Sequence, residues 1–194
     1  MRRSLHSQLM AFSFSALLAF VAAPVQAADY AVDDSHSSVT FKIGHLGISE
    51  VHGRFDDMAG SFEIDKGEPE KSSFMLTIKT ESVDTNNKKR DDHLRSPDFF
   101  NVKQFPAITF KSTKVALAKD KTYVVTGDLT MHGKTKSISF NLKGGKEVEF
   151  PKGTKRVGFT TELTLKRSEF GMEKMAPAIG DEVQIAISIE GATK

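Results

Sequence analysis

The 194-residue sequence is long enough for one domain preceded by a leader segment. It contains no cysteine, which excludes disulfide bonds, thiol chemistry, thiolate metal sites and lipid attachment at a lipoprotein cysteine. Its 27 lysines and arginines nearly balance 25 acidic residues, so the charge gives no basis for binding nucleic acid or an anionic membrane surface.

The start of the chain has the pattern of a cleaved signal peptide. Two arginines precede an apolar run over residues 9–21, and small residues form a cleavage site that ends at Ala27. We therefore predict a signal peptide over residues 1–27, export to the periplasm, and a mature domain over residues 28–194. The apolar run is too short for a stable transmembrane helix, so we expect no stable membrane insertion. Without the leader, 25 of the 27 basic residues remain, and the formal charge is zero.

Beyond the leader, apolar and polar residues alternate with a period of two, which is typical of strands with one buried face. About eight or nine such segments alternate with turn signals. This pattern predicts an all-β domain, either a sandwich or an antiparallel barrel. The turn signals lie at residues 67–69, 118–120, 132–133, 144–145 and 151–153.

One segment, residues 86–102, lacks this alternation. Asn86 or Asn87 can cap a short helix that runs to about Arg95. Pro97 would then end the helix, because the residue before a proline avoids helical geometry. We therefore predict a short helix and loop between two strands of the barrel. Its apolar anchors would be Phe99, Phe100 and Phe105.

No motif predicts catalytic or metal-binding residues. The histidines beyond the leader match no zinc-ligand spacing, and the sequence has no GxSxG motif. His132, in a predicted hairpin, is interpreted as a solvated turn residue. The histidines beyond the leader are His36, His45, His52, His93 and His132.

Two polar residues follow a row of apolar residues on the same face of a predicted strand. His45 lies on the same strand face as Phe41 and Ile43, and Arg167 lies on the face of Leu163 and Leu165. In a closed barrel such a row faces inward, so both side chains would point into the interior from a rim. This arrangement suits the head group of an amphiphilic ligand. Alternatively, each strand has ended and its polar side chain reaches water.

The predicted helix contains a polar cluster that includes Arg90, Asp91 and His93. One interpretation places this cluster beside the barrel opening, where it would hold an anionic or carbonyl head group. The other is a simple ion pair between Asp91 and Arg95, which are four residues apart on the helix.

Ordered motifs along the whole mature chain resemble the YceI-like family. They include residues 34–37 (DSHS), 41–47 (FKIGHLG), 51–55 (VHGRF), 60–62 (GSF), 90–94 (RDDHL), 96–100 (SPDFF), 105–110 (FPAITF), 127–130 (GDLT), 166–171 (KRSEFG) and 180–183 (GDEV). One departure is Gly44, where the family usually has a larger basic residue before His45.

The resemblance implies a lipocalin-like antiparallel β-barrel of about eight strands with a long inner cavity. It also implies a periplasmic carrier of long amphiphiles, in some members a homodimer. The expected ligand is a polyisoprenoid or isoprenoid quinone, with fatty acids or fatty-acid amides as further candidates, and no cofactor is expected. We predict head-group contacts at His45, Arg90, Asp91, His93 and Arg167. Predicted tail contacts are Phe41, Ile43, Phe74, Leu76, Phe99, Phe105, Phe110, Phe140, Phe159, Leu163, Leu165, Ile185 and Ile187.

Three hypotheses for function follow. The first is a non-enzymatic carrier of a long-chain lipid. The second is an enzyme that acts on such a lipid, with His45 or His93 as the base. The third is a stress-related structural barrel filled by its own side chains.

Overall fold

The computed structural model describes residues 27–193, so the predicted signal peptide lies outside the described residues except for Ala27. Within this range the chain forms one α-helix, α1 (Lys88–Arg95), and no helix is long and apolar enough to cross a membrane. The strands are β1 (Ala28–Val32), β2 (Ser38–His45), β3 (Ser49–Phe55), β4 (Met58–Ile64), β5 (Ser73–Lys79), β6 (Val83–Asp84), β7 (Ala107–Leu117), β8 (Tyr123–Met131), β9 (Lys134–Glu149), β10 (Lys155–Lys166) and β11 (Ile179–Thr193). Short 3-10 turns span Asp34–His36, Pro69–Lys71, Thr80–Ser82 and Arg167–Phe170.

The strands close into an antiparallel barrel. Their order around it is β1-β4-β5-β7-β8-β9-β10-β11, and β11 then pairs with β1. The long β11 pairs with β2 at its start and with β1 at its end. Consequently β1 and β2 act as one interrupted strand, and β3 and β4 act as another. The predicted barrel of about eight strands is confirmed.

Aromatic side chains fill one end of the barrel, which we call the closed end. The ring centroid of Phe159 lies 5.6 Å from those of Phe62 and Phe74, and 5.7 Å from that of Tyr123. Tyr30 stacks on Phe62 at 5.3 Å. These edge-to-face and stacked contacts stabilise a dense apolar cluster. The opposite end, called the open end, carries α1, the β2–β3 turn and the 3-10 turn Arg167–Phe170.

The predicted turn at residues 144–145 is wrong, because β9 continues through both glycines. Gly144 and Gly145 have φ values of 129° and 85°, and the register between β9 and β10 shifts between Val157 and Phe159. A Cβ on Gly144 would clash with the Gly158 carbonyl oxygen. The two glycines therefore form a bulge that bends a long strand.

The predicted helix is confirmed. The side chain of Asn87 accepts a 3.0 Å hydrogen bond from the backbone N–H of Arg90, which caps the start of α1. After the helix, Phe99 is buried, and the ring of Phe100 packs on that of Phe55 at 5.6 Å. These contacts fix α1 against the open end of the barrel.

Candidate functional site

A cavity of about 820 Å³ lies inside the barrel and reaches the open end. Its volume lies in the range that small-molecule sites occupy. All predicted tail residues except Phe105 and Phe159 line it. The wall is almost wholly apolar because the inward rows of β2, β5, β7, β9, β10 and β11 all face this space.

Two predicted tail residues lie elsewhere. Phe159 is only 1% exposed and belongs to the aromatic cluster of the closed end. The ring of Phe105 packs against His132 at 4.8 Å and covers Gly133. The His132 Nδ1 atom lies 3.0 Å from the carbonyl oxygen of Phe170, so His132 joins the β8–β9 turn to the chain after β10. It is therefore more than a solvated turn residue.

Four of the predicted head-group residues line the cavity toward the open end: His45, Arg90, His93 and Arg167. The Arg90 guanidinium donates 2.7 Å hydrogen bonds to the hydroxyl and the carbonyl oxygen of Thr85. The His93 Nε2 atom lies 3.0 Å from the Asp98 carboxylate, and this hydrogen bond, with nearby Lys174, lowers the pKa of Asp98. Arg90 and His93 are thus partly engaged by the protein itself.

His45 differs from these two residues. It ends β2 opposite Ser49, and both residues line the cavity. In the described chain no hydrogen bond joins the two side chains, so the pair lacks the contact that a general base and a nucleophile make. Among residues 27–193 the His45 side chain has no other hydrogen-bond partner either, so it is available to a ligand at the opening.

Asp91 does not line the cavity. Its buried carboxylate accepts hydrogen bonds from the backbone N–H and the hydroxyl of Thr85, at 2.9 and 2.5 Å. The alternative of an ion pair with Arg95 is also wrong. Arg95 instead lies 3.4 Å from Asp92, because Asp91 faces the barrel. Asp91 holds α1 in place.

Arg167 lines the cavity but is 5% exposed and bonded to four backbone carbonyls. Its guanidinium donates to the carbonyl oxygens of Met172, Lys174, Ile179 and Gly180, at 2.6 to 3.1 Å. Burial lowers its pKa from the ordinary value. The segment that joins β10 to β11 is therefore wrapped around this side chain.

Sequence reasoning missed Thr161, which lies among apolar residues of the cavity wall. The signal was present in the sequence, because Thr161 shares the inward face of β10 with Leu163 and Leu165. A threonine among the apolar residues of an inward strand face indicates a polar side chain at the cavity wall.

One cluster outside the cavity has metal-ligand geometry. Ligand atoms of Asp33, His36 and Glu190 lie within 4.8 Å of one another. However, the Arg156 Nη1 atom already bonds both carboxylates, at 2.7 Å from Asp33 and 2.6 Å from Glu190. This arrangement is better described as an ion-pair network between the β1–β2 corner and β10 and β11.

A family model described as a YceI-like domain matches residues 30–191. The chain belongs to the YceI-like family. A UPF0312 protein of Ectopseudomonas mendocina is 41% identical over 175 residues, which cover 89% of this chain and 92% of the relative. Another, from Azotobacter vinelandii, is 41% identical over 179 residues, with 91% and 92% coverage.

Solved structures share the fold. BcnA of Burkholderia cenocepacia superposes with a TM-score of 0.74 at 27% identity, covering 82% of this chain and 98% of BcnA. The YCEI protein of Campylobacter jejuni gives 0.70 at 32% identity, covering 79% and 91%. A polyisoprenoid-binding domain from Saccharophagus degradans gives 0.64 at 18% identity, covering 85% and 98%. At that identity the last comparison shows the fold alone.

Two YceI-like motifs meet at the open end. The motif at residues 166–171 contributes Ser168, whose N–H and hydroxyl both bond the carboxylate of Asp181 in the motif at residues 180–183, at 2.9 and 2.8 Å. These bonds lower the pKa of Asp181. Together with Arg167, they fix both ends of the segment that joins β10 to β11. In this chain the two motifs therefore have a structural role beside the cavity.

Proposed function

We propose that this YceI-like protein is a non-enzymatic periplasmic carrier of a long-chain amphiphile, in particular a polyisoprenoid or an isoprenoid quinone. The observation that carries this proposal is the 820 Å³ cavity with its almost continuous apolar wall. Such a wall suits a hydrocarbon chain better than a sugar or a nucleotide, which would leave many polar atoms unpaired.

Burial alone supplies the binding energy for such a ligand. Each methylene transferred from water into the cavity contributes about 0.8 kcal/mol. A chain of a dozen carbons therefore gains about 10 kcal/mol before the costs of association are counted. Selectivity then depends on cavity length and on a few polar side chains: His45, Arg90 and His93 at the opening and Thr161 inside.

The name of the Saccharophagus degradans domain, which shares the fold, is consistent with a polyisoprenoid ligand. Fatty acids and fatty-acid amides remain further candidates because an apolar wall does not distinguish prenyl from acyl chains. The hypothesis of a barrel filled by its own side chains is not favoured, since a large cavity lies between the strands.

The test is binding by protein purified without delipidation. We expect native mass spectrometry to detect a co-purified lipid, and we expect the stripped protein to take up a fluorescent prenyl or acyl probe. Ile185→Trp, which places an indole in the cavity, is expected to weaken probe binding at least about tenfold. Gln184→Trp is the matched control, because Gln184 is the exposed neighbour on the outer face. Absence of both lipid and probe binding would refute the carrier function.

Export is tested separately. We expect the full-length chain to be recovered in the periplasmic fraction, shortened by residues 1–27, whereas a chain that starts at Ala28 stays in the cytoplasm. N-terminal sequencing of the exported protein checks the cleavage site.

A further inference from the structure

Among residues 27–193, the hydroxyl of Thr161 is the only buried side-chain polar atom without a hydrogen-bond partner. Thr161 is 5% exposed, and it lines the cavity. An unpaired buried hydroxyl destabilises a protein, and such groups are rare in native structures. The hydroxyl therefore needs a partner that enters the cavity, either a ligand atom or a water molecule.

Thr161 lies deep in the cavity. On β10 it is two residues from Phe159, which belongs to the closed end, and it pairs with Ile187 on β11. At the open end, His45 pairs with Ile179 of the same strand. Ile187 also pairs with Val39 on β2, and Val39 is six residues from His45, or about 20 Å at the usual rise of a strand. A group that reaches Thr161 has crossed most of the barrel.

The positions of the charged residues along the cavity wall limit which chemical group of a ligand can bond to Thr161. The ionisable side chains that line the cavity all lie toward the open end: His45, Lys89, Arg90, His93 and Arg167. Around Thr161 the wall consists of apolar residues such as Leu142, Leu163 and Ile187. A carboxylate or phosphate there would be buried without a counter-charge, which is strongly unfavourable. A neutral hydroxyl, ketone or amide avoids the cost of burying a charge, and its oxygen can bond to the Thr161 hydroxyl.

We propose that the cavity takes its amphiphile head-first, with a neutral oxygen-bearing group bonded to the Thr161 hydroxyl and the hydrocarbon chain extending toward the open end. This inference rests on the proposed carrier function and specifies its ligand class. It reverses the orientation that the sequence predicts, in which the head group lies at the opening. Two of the opening's polar groups support the reversal, because Arg90 and His93 are already hydrogen-bonded to Thr85 and Asp98.

The test compares hexadecanamide with hexadecane, which have the same chain length and differ in the polar group. Displacement of a fluorescent acyl probe from stripped, full-length mature protein gives both affinities. We expect Thr161→Val to weaken hexadecanamide binding about tenfold and to leave hexadecane binding unchanged, because one neutral hydrogen bond is lost. Thr161→Ser keeps the hydroxyl and is expected to retain the amide's affinity. Thr160→Val makes the same substitution at the exposed neighbour on the outer face of β10 and should change neither affinity.

The unliganded protein provides a second measurement. Thr161→Val removes an unpaired hydroxyl, so we expect its urea midpoint to shift upward relative to the wild type. If Thr161→Val changes neither affinity, or changes both equally, the head-first orientation is overturned while lipid binding stands. An unchanged affinity for both compounds is the result expected if a bound water already satisfies the hydroxyl. If neither compound displaces the probe and the probe itself does not bind, the carrier function fails instead.

Discussion

The phenol of Tyr30 donates a 2.6 Å hydrogen bond to the carboxylate of Glu147 and so joins β1 to β9, two strands that are not neighbours in the barrel. Tyr30 is 1% exposed and stacks on Phe62. Burial, with the hydrogen bond to Glu147, raises the pKa of Tyr30 above its usual range, and the same bond lowers the pKa of Glu147. The bond closes the end of the barrel beyond the cavity.

Removing this bond should destabilise the closed end. We expect Tyr30→Phe to lower the free energy of unfolding by about 1–2 kcal/mol, because a hydrogen bond to a charged acceptor is lost. Urea denaturation at neutral pH measures the change. Tyr123→Phe is the matched control, since it removes the other phenol, for which burial alone raises the pKa. Equal losses in the two variants would contradict this account.

The ion-pair network of Asp33 predicts acid sensitivity. Hydrogen bonds from Ser35, Arg156 and His36 lower the pKa of Asp33 well below its ordinary value of 3.8. The carboxylate therefore contributes stability above that value, and the contribution is lost as the pH falls toward the lower folded-state pKa. We expect Asp33→Asn to reduce stability at pH 7 and to flatten the decline below about pH 4.

Asp34→Asn serves as the control for this prediction, because it removes the same charge from the exposed neighbouring residue. Urea midpoints of both variants from pH 7 to pH 2.5 provide the comparison. An acid decline in Asp33→Asn as steep as in the wild type would show that this network does not govern the acid response.

Arg167 should act as a structural residue. We expect Arg167→Lys to lower the free energy of unfolding by at least about 3 kcal/mol, because one ammonium group cannot reach four carbonyl oxygens in different directions. Hydrogen exchange should show loss of protection in residues 171–178. Full stability of Arg167→Lys, with weaker binding of an anionic lipid, would instead support the predicted head-group role.

The alternation of the sequence was sufficient to predict the strands and most of the cavity wall, because a period of two assigns each residue to a face, whereas the barrel was implied by the resemblance to the YceI-like family. The alternation could not predict how far along the barrel each inward side chain lies. Phe159 and Leu163 share one face of β10, yet Phe159 lies in the closed end and Leu163 lines the cavity. The same alternation predicted that Arg167 faces the interior. Its hydrogen-bond partners, however, lie in the segment that joins β10 to β11, and alternation does not predict the path of that segment. The role of Asp91 was missed for the same reason, since Thr85 lies outside the helix.

The contact between Phe41 and Gly53 predicts how cavity shape sets ligand length. These residues pair across β2 and β3, and a Cβ on Gly53 would overlap with the Phe41 ring. Gly53→Ala therefore forces the ring to move, and overpacking of this kind costs about 1–3 kcal/mol. Because Phe41 lines the cavity, we expect the variant to favour shorter chains in a series of acyl probes.

Gly44→Ala is the control for that prediction, because a Cβ there meets no atom within 4 Å. We expect its stability and chain-length preference to match those of the wild type. If Gly53→Ala loses stability but keeps the wild-type preference, the Phe41 ring does not limit the ligand. A shortened preference in Gly53→Ala alone would identify this ring as a determinant of cavity length, since the two substitutions add the same methyl group to neighbouring strands.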